Sequence, residues 1–173
     1  MTNRLIVHDI ADKAEAGALA EIFAGDTVFS ATPAVHHCVG CFGCWLKTPG
    51  RCVLKDRGSD FAAMTAAHEE IVIVSRLVFG GVSPDIKAVF DRSIGYVLPF
   101  FYKVSGETHH AKRYDRSPGF RYIFYGEDMT DREKQTAKKL AAANMLNLGG
   151  VAHEVEFCES PQDCLDLLAA RRD

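Results

Sequence analysis

No stretch of the chain is apolar over the roughly 20 residues that a membrane-crossing helix needs, so no membrane span is expected. Basic runs are missing too. Lys and Arg number 20 against 23 acidic residues, for a net charge of -3. That speaks against nucleic acid as a partner, which calls for a concentrated cationic footprint. The opening MTNRLIVHDI has one basic residue and an Asp within its apolar stretch, which does not read as a secretory leader. A cytoplasmic protein is expected. There is no internal repeat, low-complexity tract or Pro/Ser-rich linker in the 173 residues. One domain spanning 1–173, with a full-sized core, follows.

What is present alternates. RLIVH (4–8), TVFS (27–30), EIVIVS (70–75), FRYIFYG (120–126) and VAHEVEF (151–157) read as five strands. EIVIVS is a β-branched run, apolar throughout, as suits a strand covered on both faces. Helices are expected over 12–23, 59–67, from Ser83–Pro84 onward, from 130 to the Gly149–Gly150 pair, and over 160–170. Ser83 and Ser160 are good N-caps, each followed by Pro at the first helical position. TDRE (130–133) is a capping box, and its helix places Ala137, Leu140, Ala141, Met145 and Leu148 on one stripe. Residues 95–118 read as a long irregular stretch, polar, aromatic and glycine-punctuated. This order predicts an α/β fold: a doubly wound, five-stranded parallel sheet with helices on both faces. Its expected strand order is 2-1-3-4-5, with a ligand crevice at the carboxyl ends of the first and third strands.

The cysteines are concentrated. CVGCFGCWLKTPGRC holds Cys38, Cys41, Cys44 and Cys52 within fifteen residues. In a reducing compartment such clustering favours metal or redox roles over structural disulfides. Three cysteines at two-residue spacing with a fourth nearby resemble the ligand runs of cubane iron–sulfur clusters. Zinc sites more often pair two knuckles across a longer gap. The plainer reading is a turn-rich loop whose small thiols pack on the core. Trp45 suits a core edge or a contact between subunits, and Cys158 and Cys164 suit packing.

Three other segments invite a ligand. In SRLVFGGVSP (75–84), Gly80 and Gly81 let the backbone approach a flat molecule, whose polar edge the N–H groups would meet, with Phe79 beside it. An ordinary strand-to-helix turn uses glycine as readily. After the first strand, HDIADKAEAG (8–17) lacks the Gly/Ser/Thr-rich loop that cradles phosphate. Asp9 and Asp12 there would repel an anion, and a helix start capped by one of them fits better. His109, His110, Lys112, Arg113 and Arg116 form a local basic cluster that suits an acidic ligand, a partner subunit or plain solvation.

Taken together, the cysteine segment with its trailing CVLKD, IVIVSRLVFGGVSPDIKAVFDRS with Lys87 and Asp91–Arg92, and GETHHAKRY resemble the flavodoxin-like NAD(P)H-dependent FMN oxidoreductases, particularly their iron–sulfur branch. The resemblance runs from about residue 36 to 126. It implies an FMN-binding oxidoreductase that passes electrons from a reduced donor, NAD(P)H, to a small acceptor, as a dimer or tetramer. It implies flavin contacts at Ser75, Arg76, Leu77, Val78, Phe79, Gly80 and Gly81, with Gly126 and Glu127 near the same pocket. Cys38, Cys41, Cys44 and Cys52 would be cluster ligands. Two departures stand out. The family's phosphate loop is missing, and Arg76 and Val78 replace the usual Pro and Tyr. The alternative is a flavodoxin-fold protein that has lost FMN and works as a cysteine-based redox or binding module. No residue is singled out as catalytic.

Overall fold

The computed structural model describes residues 3–104 and 106–171. The chain runs β1 (Arg4–His8), α1 (Lys13–Ile22), β2 (Thr27–Ser30), α2 (Gly43–Leu46), α3 (Phe61–Ala67), β3 (Glu70–Arg76) and α4 (Pro84–Arg92). After a short 3-10 turn come β4 (Val97–Val104), β5 (Glu107–Lys112), β6 (Gly119–Tyr125), α5 (Asp131–Asn147), β7 (Ala152–Cys158) and α6 (Pro161–Ala170). Five strands form one parallel sheet in the order β2-β1-β3-β6-β7. This is the expected 2-1-3-4-5 order once the inserted β4–β5 pair is set aside. Among the described residues, no helix is long and apolar enough to cross a membrane.

The strands sort their side chains by period two. Leu5, Val7, Ile71, Ile73, Tyr122 and Phe124 face the helices α3, α4 and α5, meeting Phe61, Ile86, Val89, Ala137 and Ala141. Ile6, Val72, Val74 and Ile123 face the other way, against Leu19 and Phe23 of the α1 side and Leu165 and Leu168 of α6. Burying both faces of β1, β3 and β6 is what makes their sequences read as unbroken apolar runs.

The helix signals hold. Ser83 accepts from the N–H of Ile86, and both Thr130/Glu133 and Ser160/Asp163 form reciprocal capping boxes. At the start of α1 the cap is Asp12, not Asp9. On α5, Ala137 and Ala141 are buried, but Leu140 stays 46% exposed, so its stripe is narrower than expected.

Residues 95–118 differ from expectation. They are not irregular: β4 and β5 pair antiparallel as a separate two-stranded sheet. Half of β4 is exposed, including Phe100 and Phe101. In that half no alternation of apolar and polar residues marks the strand.

Candidate functional site

A crevice of about 420 Å3 opens at the carboxyl ends of β1, β3 and β6, lined by Asp9, Ala11, Thr32, Arg76, Ser83, Pro84, Asp85 and Tyr125. This is the switch point at which a doubly wound sheet offers its ligand site, because β1 and β3 send their chains to opposite faces. Asp9 follows the last residue of β1 and is only 8% exposed. Its Oδ1 accepts from the Tyr125 hydroxyl at 2.8 Å and from the Arg76 N–H at 3.2 Å. Its Oδ2 accepts from the same N–H at 3.1 Å and from the Ser75 hydroxyl at 3.3 Å. One carboxylate thus gathers donors from two neighbouring strands. Burial, then the charge and hydrogen bond of Asp9, push the Tyr125 hydroxyl well above its ordinary pKa, so it stays a donor. Across the crevice, Asp85 in the first turn of α4 accepts from the Thr32 hydroxyl at 3.0 Å.

The loop after β3 forms a tight turn. Val78 and Gly81 exchange two hydrogen bonds of 2.9 Å, with Phe79 (φ 50°) and Gly80 (φ 78°) between them. Two consecutive positive φ values define a type I′ turn, which favours Asn-Gly. Here Phe79 occupies the first position and is 92% exposed. Gly80 has no room for a side chain, because a Cβ would lie 2.7 Å from Thr136. The turn consumes donors expected to meet a ligand: Arg76 N–H goes to Asp9, Leu77 N–H to Tyr125, and those of Val78 and Gly81 to each other. Among the described residues, the N–H groups of Phe79, Gly80 and Val82 have no backbone partner.

Of the residues expected at this site, Arg76 lines the crevice and Ser75 stands behind it, holding Asp9 and accepting from the Ser83 N–H at 2.9 Å. Leu77, Val78, Phe79, Gly80 and Gly81 build the turn at one side, and Gly126 and Glu127 lie outside the lining. Thr32, Asp85 and Tyr125 were not expected in it, and Asp9 was expected there only as a repulsion to anions or a helix cap. The position of Asp9, at the end of the first strand in the switch-point frame, is the signal that would have found it.

The cysteines meet elsewhere. Cys38, Cys41, Cys44 and Cys52 line one narrow cavity of about 40 Å3, with Phe42, Leu54, Arg92 and Ile94. Phe42 at φ 53° turns the chain into α2, and Gly43 fits only as glycine, since a Cβ would meet Val53 at 2.6 Å. The thiols sit at different depths: Cys38 and Cys41 are exposed, Cys52 is half-buried and Cys44 is buried. Burial, then the neighbouring cysteines, push the Cys44 thiol up. Among the described residues no group of three or more His, Cys, Asp or Glu side chains is placed to hold a metal ion. The expected iron–sulfur cluster therefore has no support in this arrangement.

Arg92 fixes this segment to α4. Its side chain is fully buried and donates to Cys52 Sγ at 3.4 Å, His36 O at 3.3 Å, Leu54 O at 3.0 Å and the Asp56 carboxylate. Lys87 and Asp91 form only an exposed pair along the helix. The basic cluster disperses: His110 bonds Leu98 O, His109 bonds Asn147, Arg113 bonds Gly95 O, Lys112 bonds Ser117 and Arg116 pairs with Glu69. Trp45 covers a core edge, its ring N–H bonding Ile94 O and Val97 O.

No family model matches the chain. No curated protein matches it either. Solved structures do. An NAD(P)H:quinone oxidoreductase from Methanothermobacter marburgensis superposes with a TM-score of 0.61 at 14% identity, over 99% of this chain and 95% of that one. An FMN-dependent NADH-azoreductase from Bacillus anthracis str. Ames Ancestor, in complex with FMN, gives 0.57 at 13% identity over 99% and 96%. A WrbA-like flavodoxin from Agrobacterium tumefaciens gives 0.53 at 12% identity over 99% and 94%. At these identities the likeness establishes the flavodoxin-like fold.

Proposed function

We propose that this flavodoxin-like chain is a flavin-dependent oxidoreductase, taking electrons from a reduced nicotinamide donor and passing them to a small acceptor. The observation that carries the reading is the crevice at the β1/β3 switch point, together with an exposed Phe79 that the loop after β3 holds in a turn its residue type disfavours. An aromatic kept in an unfavourable backbone region marks a site where strain serves a purpose. Phe79 would flank a flavin ring, whose polar edge the N–H groups of Phe79, Gly80 and Val82 would meet. The flavin would supply the electron chemistry, and the chain its binding and orientation. Likeness in fold to an FMN-dependent azoreductase and to a quinone oxidoreductase supports the class, not the acceptor.

FMN itself fits only in part. Asp9 and Asp85 line the crevice beside Arg76 and would repel its phosphate. The test is an absorption spectrum and flavin assay on protein purified without oxygen, followed by nicotinamide-driven reduction of a quinone and an azo dye. Flavin bands on addition of a flavin, with turnover, are expected. A protein that stays colourless with every flavin tried sinks the reading.

A second reading is a cysteine-based redox module, favoured by the convergence of four thiols on one cavity beside the buried Arg92 guanidinium. Two thiols would give up two electrons and two protons to a disulfide or peroxide oxidant and form a disulfide. Loss of two titratable thiols per chain on mild oxidation, with no chromophore, would favour it.

A further inference from the structure

The helix openings at this crevice are capped in part by the chain's own side chains. In a doubly wound sheet, a ligand phosphate rests on the N–H groups that open the helix after the first strand. In α1 those of Ala14 and Glu15 are taken by Asp12 Oδ1, at 2.9 and 3.0 Å. The helix opening on the other side, α4, is capped by Ser83 and carries Asp85 in its first turn. Between them lies the Asp9 carboxylate, held by the Ser75 hydroxyl, the Arg76 N–H and the Tyr125 hydroxyl. Asp9 uses up polar donors at the ends of β3 and β6, beside the opening of α1. It also brings the negative charge, fixed and buried, that a phosphate would have brought.

A phosphate entering here would face Asp9 and Asp85, with Arg76 the one cation among the residues lining the crevice. Like charges this close in a half-buried site repel strongly. The rest of the crevice has no such conflict. Its volume of about 420 Å3 lies in the range of small-molecule sites. The Thr32 hydroxyl, which lines it, suits a neutral, hydrogen-bonding ligand.

We propose that Asp9 is a built-in substitute for the ligand's phosphate, so that the crevice takes a flavin without one, riboflavin, at least as well as FMN. This rests on the flavin reading above and adds to it the chemical class of the ligand. It also gives the missing phosphate loop a physical meaning: the site is altered to accept an uncharged tail.

The experiment is a pair of binding titrations on the full chain, riboflavin against FMN, at matched salt. Inorganic phosphate is titrated separately and followed by NMR at the backbone amides of Ala11 to Ala14 and of Arg76. Riboflavin is expected to bind as tightly as FMN or more tightly, with phosphate leaving those amides in place. FMN binding about tenfold tighter or more, or phosphate moving those amides, overturns the proposal and leaves the flavin reading standing. Failure of both flavins to bind overturns the flavin reading and this proposal with it. Asp9→Ser is expected to shift the preference toward FMN by about tenfold and to let phosphate move the Ala11 and Arg76 amides. Should that variant not fold, Asp85→Asn removes the second carboxylate without touching a strand end. It is expected to shift the preference the same way, and an unchanged preference counts against the proposal.

Discussion

Arg92 is a charged side chain with none of its surface in water, and each arm of its guanidinium is used. Removing it strands Asp56 and unfastens the cysteine segment. Arg92→Leu is expected to cost about 3–5 kcal/mol. Arg92→Lys should lose much of the same, because one ammonium cannot reach acceptors spread from residue 36 to 56. Urea denaturation measures both. Burial pushes the Asp56 carboxyl up, but the Arg92 bond and the N–H groups of His36 and Gly58 outweigh it and hold it at about 2, from 3.8. A value lowered by folding stabilises above the unfolded pKa, so this contribution is complete above pH 3.8 and fades as pH falls toward 2. His8 acts at a higher pH. It is buried, its Nδ1 has no partner, and burial chiefly lowers its pKa from 6.5, Asp9 opposing and Arg57 assisting. The folded state prefers it neutral, so stability falls as pH drops from 6.5 through the folded value. A urea midpoint that declines between about pH 7.5 and 5.5 is expected, with His8→Gln flattening that decline. Little of this was legible beforehand. Asp91–Arg92 stood out as a pair of neighbours, but nothing in the spacing says that one faces water while the other spans to Cys52 and Asp56.

Local elements were far more legible, because their signals are local. Ser83–Pro84, Thr130–Glu133 and Ser160–Pro161 open their helices as caps should, and β3 is the apolar run it seemed. The turn at 78–81 shows where that legibility ends. Two glycines suggested an open backbone, yet the turn's hydrogen bonds leave fewer free donors than expected. Phe79 stands at φ 50°, where Asn is the comfortable residue. Phe79→Asn is expected to raise stability by roughly 0.5–1 kcal/mol and at the same time to weaken flavin binding. Denaturation and flavin titration on the same variant should move in opposite directions. If both improve, Phe79 is only a misfit.

For the molecule as a whole, sheet order followed from the alternation of elements, since parallel strands with short connections have few ways to pack. The β4–β5 hairpin did not, because its pairing is internal and half of β4 is exposed. A lone two-stranded hairpin is marginal in water, and this one exposes Phe100 and Phe101 at 68% and 67%. Exposed aromatics on such an arm mark an interface, and self-association of the chain is the expected use. Sedimentation of Phe100→Ser with Phe101→Ser should then give a lower mass than that of the parent chain. Equal masses would mean that the arm serves something else. The cysteine cavity is legible in part: the spacing brought the four residues to one place, but depth decides chemistry, and depth depends on packing against residues such as Arg92, 40 positions beyond Cys52.

Asp9 has one more consequence, for the life of the protein in a cell. Where a sheet needs a bound molecule to neutralise its ligand end, a cell short of that molecule accumulates unfinished chains. Here the end of β1 is bonded to β3 and β6 by the chain's own carboxylate. Folding is therefore expected to proceed without a bound ligand. The amount of protein made in cells starved of vitamin B2 should match that in fed cells on an immunoblot. On the flavin-dependent function proposed above, only its electron traffic would wait for the vitamin to return.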